Sequence, residues 1–341
     1  MKFLVVLWVA FASVSSLALD REAFTFTKYD LDVRIEPDQQ RLGVRGTIVL
    51  HNDSSAPQKN VALQISSTLT WRSIQANDKA LQFVSQPYES DIDHTGELSE
   101  AIVNLPVQVP GGGAIELTVG YEGVIPLAAT RLTRIGLPQE QAIHTEWDQI
   151  GAAFSAVRGA GNVVWYPIST NAANLSDSNS LFERQARWKA REANAEMRIR
   201  MTNSERAGGK PLVLVCNSNN PTSSEVRNTI SSDCSRVPVG TDAPTFALAD
   251  YDTLHHGVVE IAYRPAHQAK AERFAEAADL VTAFITEWFG NPREQFQIAE
   301  LFDPGASPYE SGRLLLTPLG DTDPKLLQIA LVHELTHSAI Q

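Results

Sequence analysis

At 341 residues the chain has room for one large or two ordinary domains with buried cores. Apolar residues make up 43% and charged residues 20%, which excludes an intrinsically disordered chain. Acidic side chains outnumber basic ones 40 to 28, so neither nucleic acid nor an anionic membrane surface is an expected partner.

Residues 1–18 read as a signal peptide. Lys2 gives a short positive start, Phe3 to Ala12 an apolar run, and Ser16-Leu17-Ala18 the small residues that a signal peptidase reads. The run is too short and Ser-interrupted for a membrane anchor, and no later segment is apolar enough to span a bilayer. The mature chain is therefore expected to be secreted or periplasmic, with no stable membrane span.

Residues 19–252 are dominated by period-2 alternation. Tyr29, Leu31, Val33 and Ile35 alternate with Asp30, Asp32, Arg34 and Glu36. Leu42, Val44, Ile48 and Leu50 continue the pattern, with Gly46 at an in-facing position. Further runs are Val61-Leu63-Ile65, Val103-Leu105-Val107-Val109, Ile115-Leu117-Val119-Tyr121 and Met197-Ile199-Met201. Each predicts a half-buried antiparallel strand, and together they predict a β-sandwich or a large curved sheet. The Ala/Ser/Asn/Gly-rich stretch from Gly151 to Ser180 reads as long loops around Trp165-Tyr166-Pro167. Cys216 and Cys234 are the chain's two cysteines, and in an exported protein they form one disulfide.

From residue 253 the pattern changes. Gly257 to Pro265 predicts a strand. Ala266 to Phe289 predicts a long helix whose apolar stripe is Phe274, Ala278, Val281, Phe284, Ile285 and Trp288, stopped by Gly290 and Pro292. Gln295 to Leu301 and Arg313 to Thr317 predict two more strands. The last helix opens at Thr322-Asp323-Pro324, with Asp323 as cap and Pro324 in the first turn.

That helix carries His333-Glu334-Leu335-Thr336-His337. Two histidines four residues apart on a helix project from one face and suit a tetrahedral Zn²⁺ as ligands. Glu334 stands beside them as the general base of a zinc hydrolase. Such a match arises by chance in roughly 1 in 100 chains of this length. The capped apolar helix around it weighs against chance, because unpartnered histidines and a glutamate are costly there.

The last third of the chain resembles the start of the catalytic domain of gluzincin metallopeptidases of the aminopeptidase N type. In that family a β-rich, saddle-like domain precedes a thermolysin-like domain, and a Gly-x-Met-Glu-Asn strand lies shortly before the His-Glu-x-x-His helix. The β-rich residues before 250 fit the first feature. "SPYESGRLLL" (Ser307 to Leu316) stands where the second is expected, and "EWFGNP" (Glu287 to Pro292) is similar to the family's helix end. The resemblance implies an α+β fold: an all-β saddle or sandwich followed by the first part of a thermolysin-like domain. It implies His333 and His337 as zinc ligands, Glu334 as base, and Glu310 as the carboxylate that binds the α-amine of a peptide or protein substrate. Tyr309 stands for the family's Met and Ser311 for its Asn, so of that motif only Glu310 matches. The family's third ligand is a glutamate about 18 residues after the second histidine. Only four residues follow His337, so the polypeptide as written is expected to be an N-terminal fragment without activity of its own. Two other readings fit the same residues: an inactive peptidase-like scaffold that binds peptides or proteins, and an exported β-sandwich binding module with a coincidental motif.

Overall fold

The computed structural model describes residues 19–204, 212–217, 222–226, 229–234, 237–238, 243–290 and 295–340. Residues 1–18, read above as a signal peptide, lie outside the described set. None of the described helices is long and apolar enough to cross a membrane.

Strands β1 (Phe24–Glu36), β2 (Arg41–Asn52), β3 (Gln58–Ser66), β4 (Leu69–Ala76), β5 (Lys79–Ala80), β6 (Phe83–Glu89), β7 (Glu97–Val109) and β8 (Ala114–Val124) come first. Helices α1 (Thr130–Arg134) and α2 (Gln139–Thr145), strand β9 (Phe154–Val157) and helix α3 (Ser180–Arg191) follow. Next are β10 (Glu196–Ser204), β11 (Val213–Cys216), β12 (Thr222–Val226), β13 (Thr229–Asp233), β14 (Val237–Pro238) and β15 (Phe246–Ala249). The last part contains β16 (Asp252–His256), β17 (Val259–Tyr263), α4 (Gln268–Phe289), β18 (Phe296–Glu300), β19 (Tyr309–Ser311), β20 (Leu314–Thr317) and α5 (Pro324–Ile340).

Among the described residues these strands form four sheets. The largest runs β12-β13-β10-β1-β2-β8-β4-β5, with β14 also paired to β10. Its inner face shares one core with the β3-β7-β6 sheet, where Leu31, Val33, Ile48 and Val119 meet Leu63, Ile65 and Val103. This is the sandwich that the alternation predicted: Tyr29, Leu31, Val33 and Ile35 are buried, while Asp32 and Arg34 are exposed. Gly46 is required by the close approach of β1, since a Cβ there would stand 2.1 Å from the Asp30 carbonyl oxygen.

Three expectations change. β10 joins β1 in parallel, not antiparallel, register, and period 2 is the same for both arrangements. Val107 is 67% exposed although it sits in phase with Val103. The Gly151–Ser180 stretch contains β9 and deeply buried loops, with Trp165 and Tyr166 wholly inside the core. Trp165 packs edge-on against Tyr166 and Phe246, and its Nε1 donates to the Pro244 carbonyl, 3.1 Å away.

Cys216 ends β11 and Cys234 follows β13; they are joined as a disulfide with Cα atoms 6.2 Å apart. It ties the nine-stranded sheet to the β11-β15-β9 sheet. Closing a loop of this length contributes about 3 kcal/mol.

The five-stranded sheet β16-β17-β18-β20-β19 is a middle layer. Ile261, Ile298 and Leu315 face α4 and α5. Ala262, Ala299, Leu314 and Leu316 face the β11-β15-β9 sheet. With both faces covered, β20 is buried throughout and its Leu314-Leu315-Leu316 run does not alternate. Gly290, at φ +86°, ends α4 as predicted. Of the predicted stripe on α4, Phe274, Ala278, Val281 and Ile285 are buried, but Phe284 and Trp288 are 50% and 70% exposed.

One buried pair carries a pH dependence. The single Tyr29 hydroxyl proton is shared by two contacts, Pro167 O at 3.0 Å and Glu192 Oε2 at 2.9 Å. The phenol O–H is the donor toward both acceptors, and Glu192 lies wholly inside the protein around it. Burial pushes the Glu192 carboxyl up to about 8, against the opposing pull of the Tyr29 hydrogen bond. A carboxyl whose folded pKa is raised contributes stability that is complete below its unfolded value and is lost as pH rises toward about 8. The slope is at most about 1.4 kcal/mol per pH unit across that window. Urea denaturation at a series of pH values should show a flatter profile for Glu192→Gln than for the parent between pH 5 and 8; parallel profiles would refute the raised pKa.

Candidate functional site

Helix α5 begins as the sequence predicts. Asp323 Oδ1 accepts from the backbone N–H of Lys325 at 2.9 Å, and Pro324 occupies the first helical position. Leu327, Leu331 and Leu335 fall on one stripe and are buried against α4 and the five-stranded sheet. His333 lies about 200° around the helix from Leu331, and it is exposed. His337 follows it one turn later on α5, with Glu334 between them. The side chains of Glu334 and His337 lie outside the described set. The structure thus carries the two predicted ligands and the predicted base on one helix.

Glu310 lies on β19, the edge strand of the five-stranded sheet, paired with Leu315 of β20. It is half-buried. This strand is anchored from the preceding region. Asn217 Nδ2 donates to Ser311 Oγ at 2.8 Å, and Ser311 Oγ donates to the Ala243 carbonyl at 2.8 Å. The Trp147 indole N–H donates to the Ser307 carbonyl at 2.9 Å, and the Ser307 N–H donates to the His144 carbonyl at 2.8 Å. Tyr309 and Ser311, which stand for the Met and Asn of the resembled motif, are both used in this anchoring.

Tyr309 leads to residues that the sequence did not single out. Its ring lies edge-on to Trp147, with centroids 6.5 Å apart. The Arg158 guanidinium stacks over the Trp147 ring at 4.1 Å and near the Tyr309 ring at 5.3 Å. Behind them Arg158 Nε donates to Asp148 Oδ2 at 3.0 Å, and Arg158 N donates to Asp148 Oδ1 at 2.7 Å. Burial pushes the Asp148 carboxyl up, but the Arg158 charge and hydrogen bonds outweigh it and hold it below the usual carboxylate range. Glu146 takes both Arg131 Nε and Nη2 on its Oε1, at 3.0 and 2.7 Å. The only hint in the sequence was the alternation of charge and aromatic in Glu146-Trp147-Asp148, which no periodicity rule reads.

Neither a protein-family model nor a curated protein matches the chain. Solved structures do. A crystal structure of the M1 zinc metallopeptidase from Deinococcus radiodurans aligns with a TM-score of 0.54 at 13% identity, over 92% of this chain and 64% of that one. A point variant of the same enzyme aligns at 0.55 and 14%, and that variant bound to a Tyr-Ser-Ala substrate at 0.54 and 14%. The chain therefore spans about 64% of the length of the solved structures it matches. At this identity the likeness shows the fold: a sheet-rich α+β architecture shared with zinc metallopeptidases.

Proposed function

We propose that the chain forms the N-terminal and metal-binding part of a zinc-dependent metallopeptidase of aminopeptidase type. The observation that carries this reading is His333-Glu334-x-x-His337 on a capped helix, in a fold shared with zinc peptidases, beside a sheet whose edge strand bears Glu310. The donor set fits the metal: two imidazoles one helical turn apart are zinc ligands by type and spacing. When bound, zinc supplies Lewis-acid chemistry, polarising water and the scissile carbonyl. Glu334 accepts the proton of the attacking water and returns it to the leaving amine. Glu310 pairs with the terminal ammonium of the peptide, and the edge position of β19 lets an extended substrate lie alongside. Trp147 and Arg158 hold that edge in place through Tyr309 and Ser307.

The third ligand and the oxyanion stabiliser belong, in this reading, to residues beyond Gln341. An apolar face supports it: Leu280, Phe284, Trp288, Leu326 and Ile329 on α4 and α5 are each at least 50% exposed. Further chain packed there would cover them. In this reading residues 1–18 are a signal peptide and the mature protein is secreted or periplasmic.

The amine-anchoring role is tested with matched peptides bearing free and acetylated N-termini. The full-length protein should prefer the free peptide, and Glu310→Gln should lower kcat/KM for it by roughly 10- to 100-fold while leaving the acetylated one little changed. Equal rates on both peptides in the parent would exclude this role and point to an endopeptidase.

A further inference from the structure

The buried network behind Trp147 holds three side-chain atoms without a hydrogen-bond partner among the described residues. His94 lies in the segment between β6 and β7 and is wholly buried. Its backbone is fixed on both sides: its N–H donates to the Asn162 carbonyl at 2.6 Å, and its carbonyl accepts from the Arg131 N–H at 3.2 Å. Among the described residues neither ring nitrogen has a hydrogen-bond partner, and neither does Glu146 Oε2, from which Arg158 Nη2 lies 3.8 Å away. A buried imidazole always presents at least one donor or acceptor on each nitrogen, so leaving both unmet is costly. One ligand-capable atom each from His94, Glu146 and Asp148 lies within 4.8 Å of the others, and all three residues are buried.

Around this point carboxyl groups outnumber guanidiniums. The buried carboxylates are Asp91, Asp93, Glu146 and Asp148. The guanidiniums that reach them are Arg131, Arg134 and Arg158. Four carboxyl groups thus face three guanidiniums. Asp93 Oδ2 is 3.9 Å from His94 Nε2, beyond hydrogen-bond reach. Asp93 is also already engaged by Ser66, Thr95 and the Val164 N–H. A small cation satisfies the orphaned atoms and the additional carboxyl group together.

We propose that His94, Glu146 and Asp148 form a buried structural site for a divalent cation of the zinc class, distinct in residues from the pair on α5. One imidazole and two carboxylates are a zinc-type donor set, whereas calcium and magnesium take oxygen ligands throughout. The surroundings supply the support such ligands need. Arg131 holds the other oxygen of Glu146, and Arg158 holds Asp148. Complete burial excludes a peptide or other organic occupant.

The test uses the untagged full-length protein carrying His333→Ala and His337→Ala, so that the α5 pair is removed. After equilibration with zinc and exhaustive dialysis, metal analysis should find about one equivalent retained. Adding His94→Ala should bring this below about 0.1 equivalent, and Glu146→Gln serves if that variant does not fold. X-ray absorption of the retained zinc should show a single histidine with oxygen neighbours. A folded double variant that retains no zinc overturns the proposal, as does retention unchanged by both His94→Ala and Glu146→Gln.

Discussion

In the full-length protein, Glu334→Gln should leave the zinc content unchanged and lower kcat by about 10³-fold. The substitution keeps the size of the side chain and removes only its ability to take a proton. His333→Ala should act differently: peptide hydrolysis falls by a similar or larger factor, and bound zinc drops by about one equivalent. Exposure of His333 and its position opposite Leu331 make it a residue whose loss costs the fold little, so circular dichroism of the variant should match the parent. The separation of the two outcomes is the informative part. If both variants lose activity and keep zinc, His333 is not a ligand. If neither changes hydrolysis, the motif on α5 is coincidental and the binding-module reading stands. An inactive scaffold shows no zinc at α5 in the parent and no hydrolysis to lose.

Arg158→Met should be the most destabilising change outside the apolar core, by about 3–5 kcal/mol in urea denaturation. Arg158 is 5% exposed and is the direct partner of the wholly buried Asp148. It also lies 3.8 Å from Glu146 and donates to the Thr145 carbonyl at 2.8 Å. Methionine fills much of the same space but leaves a buried carboxylate without its cation, and that charge is what costs. Adding Asp148→Asn removes the stranded charge, while the amide oxygen still accepts from the Arg158-position N–H. The double variant should therefore recover at least about half of the loss. Additive losses in the two single variants would show that packing, not charge, sets the cost.

The parts of this fold that were legible in the sequence are those where burial falls on one face. Tyr29 to Ile35 alternate because one side of β1 meets the core and the other meets water. The Asp323-Pro324 helix start was legible because capping is local chemistry, decided within a few residues. The failures have equally specific causes. Periodicity carries no information on strand direction, so the parallel β1–β10 pairing was hidden. The Gly151–Ser180 loops have no period at all, and their burial is set by sheets that come from elsewhere in the chain. Phe284 and Trp288 have the right spacing on α4, but spacing says only which residues share a face, not whether anything covers it. The His94–Glu146–Asp148 network was not legible because His94 and the Glu146-Trp147-Asp148 segment are far apart in the chain and meet only in three dimensions. Within the proposed catalytic site, the two ligands, the base and Glu310 could be read as motif residues. The anchoring of the Glu310 strand through Trp147, Arg158 and Asn217 could not, because each is a long-range contact of a single side chain.

The central claim is that His333 and His337 bind zinc together. Anomalous diffraction at the zinc edge from crystals of the full-length protein tests it directly. The account predicts a peak bridging the two imidazoles on α5, with Glu334 beside it. Well-ordered histidines with no anomalous density between them, in protein equilibrated with zinc, would contradict it.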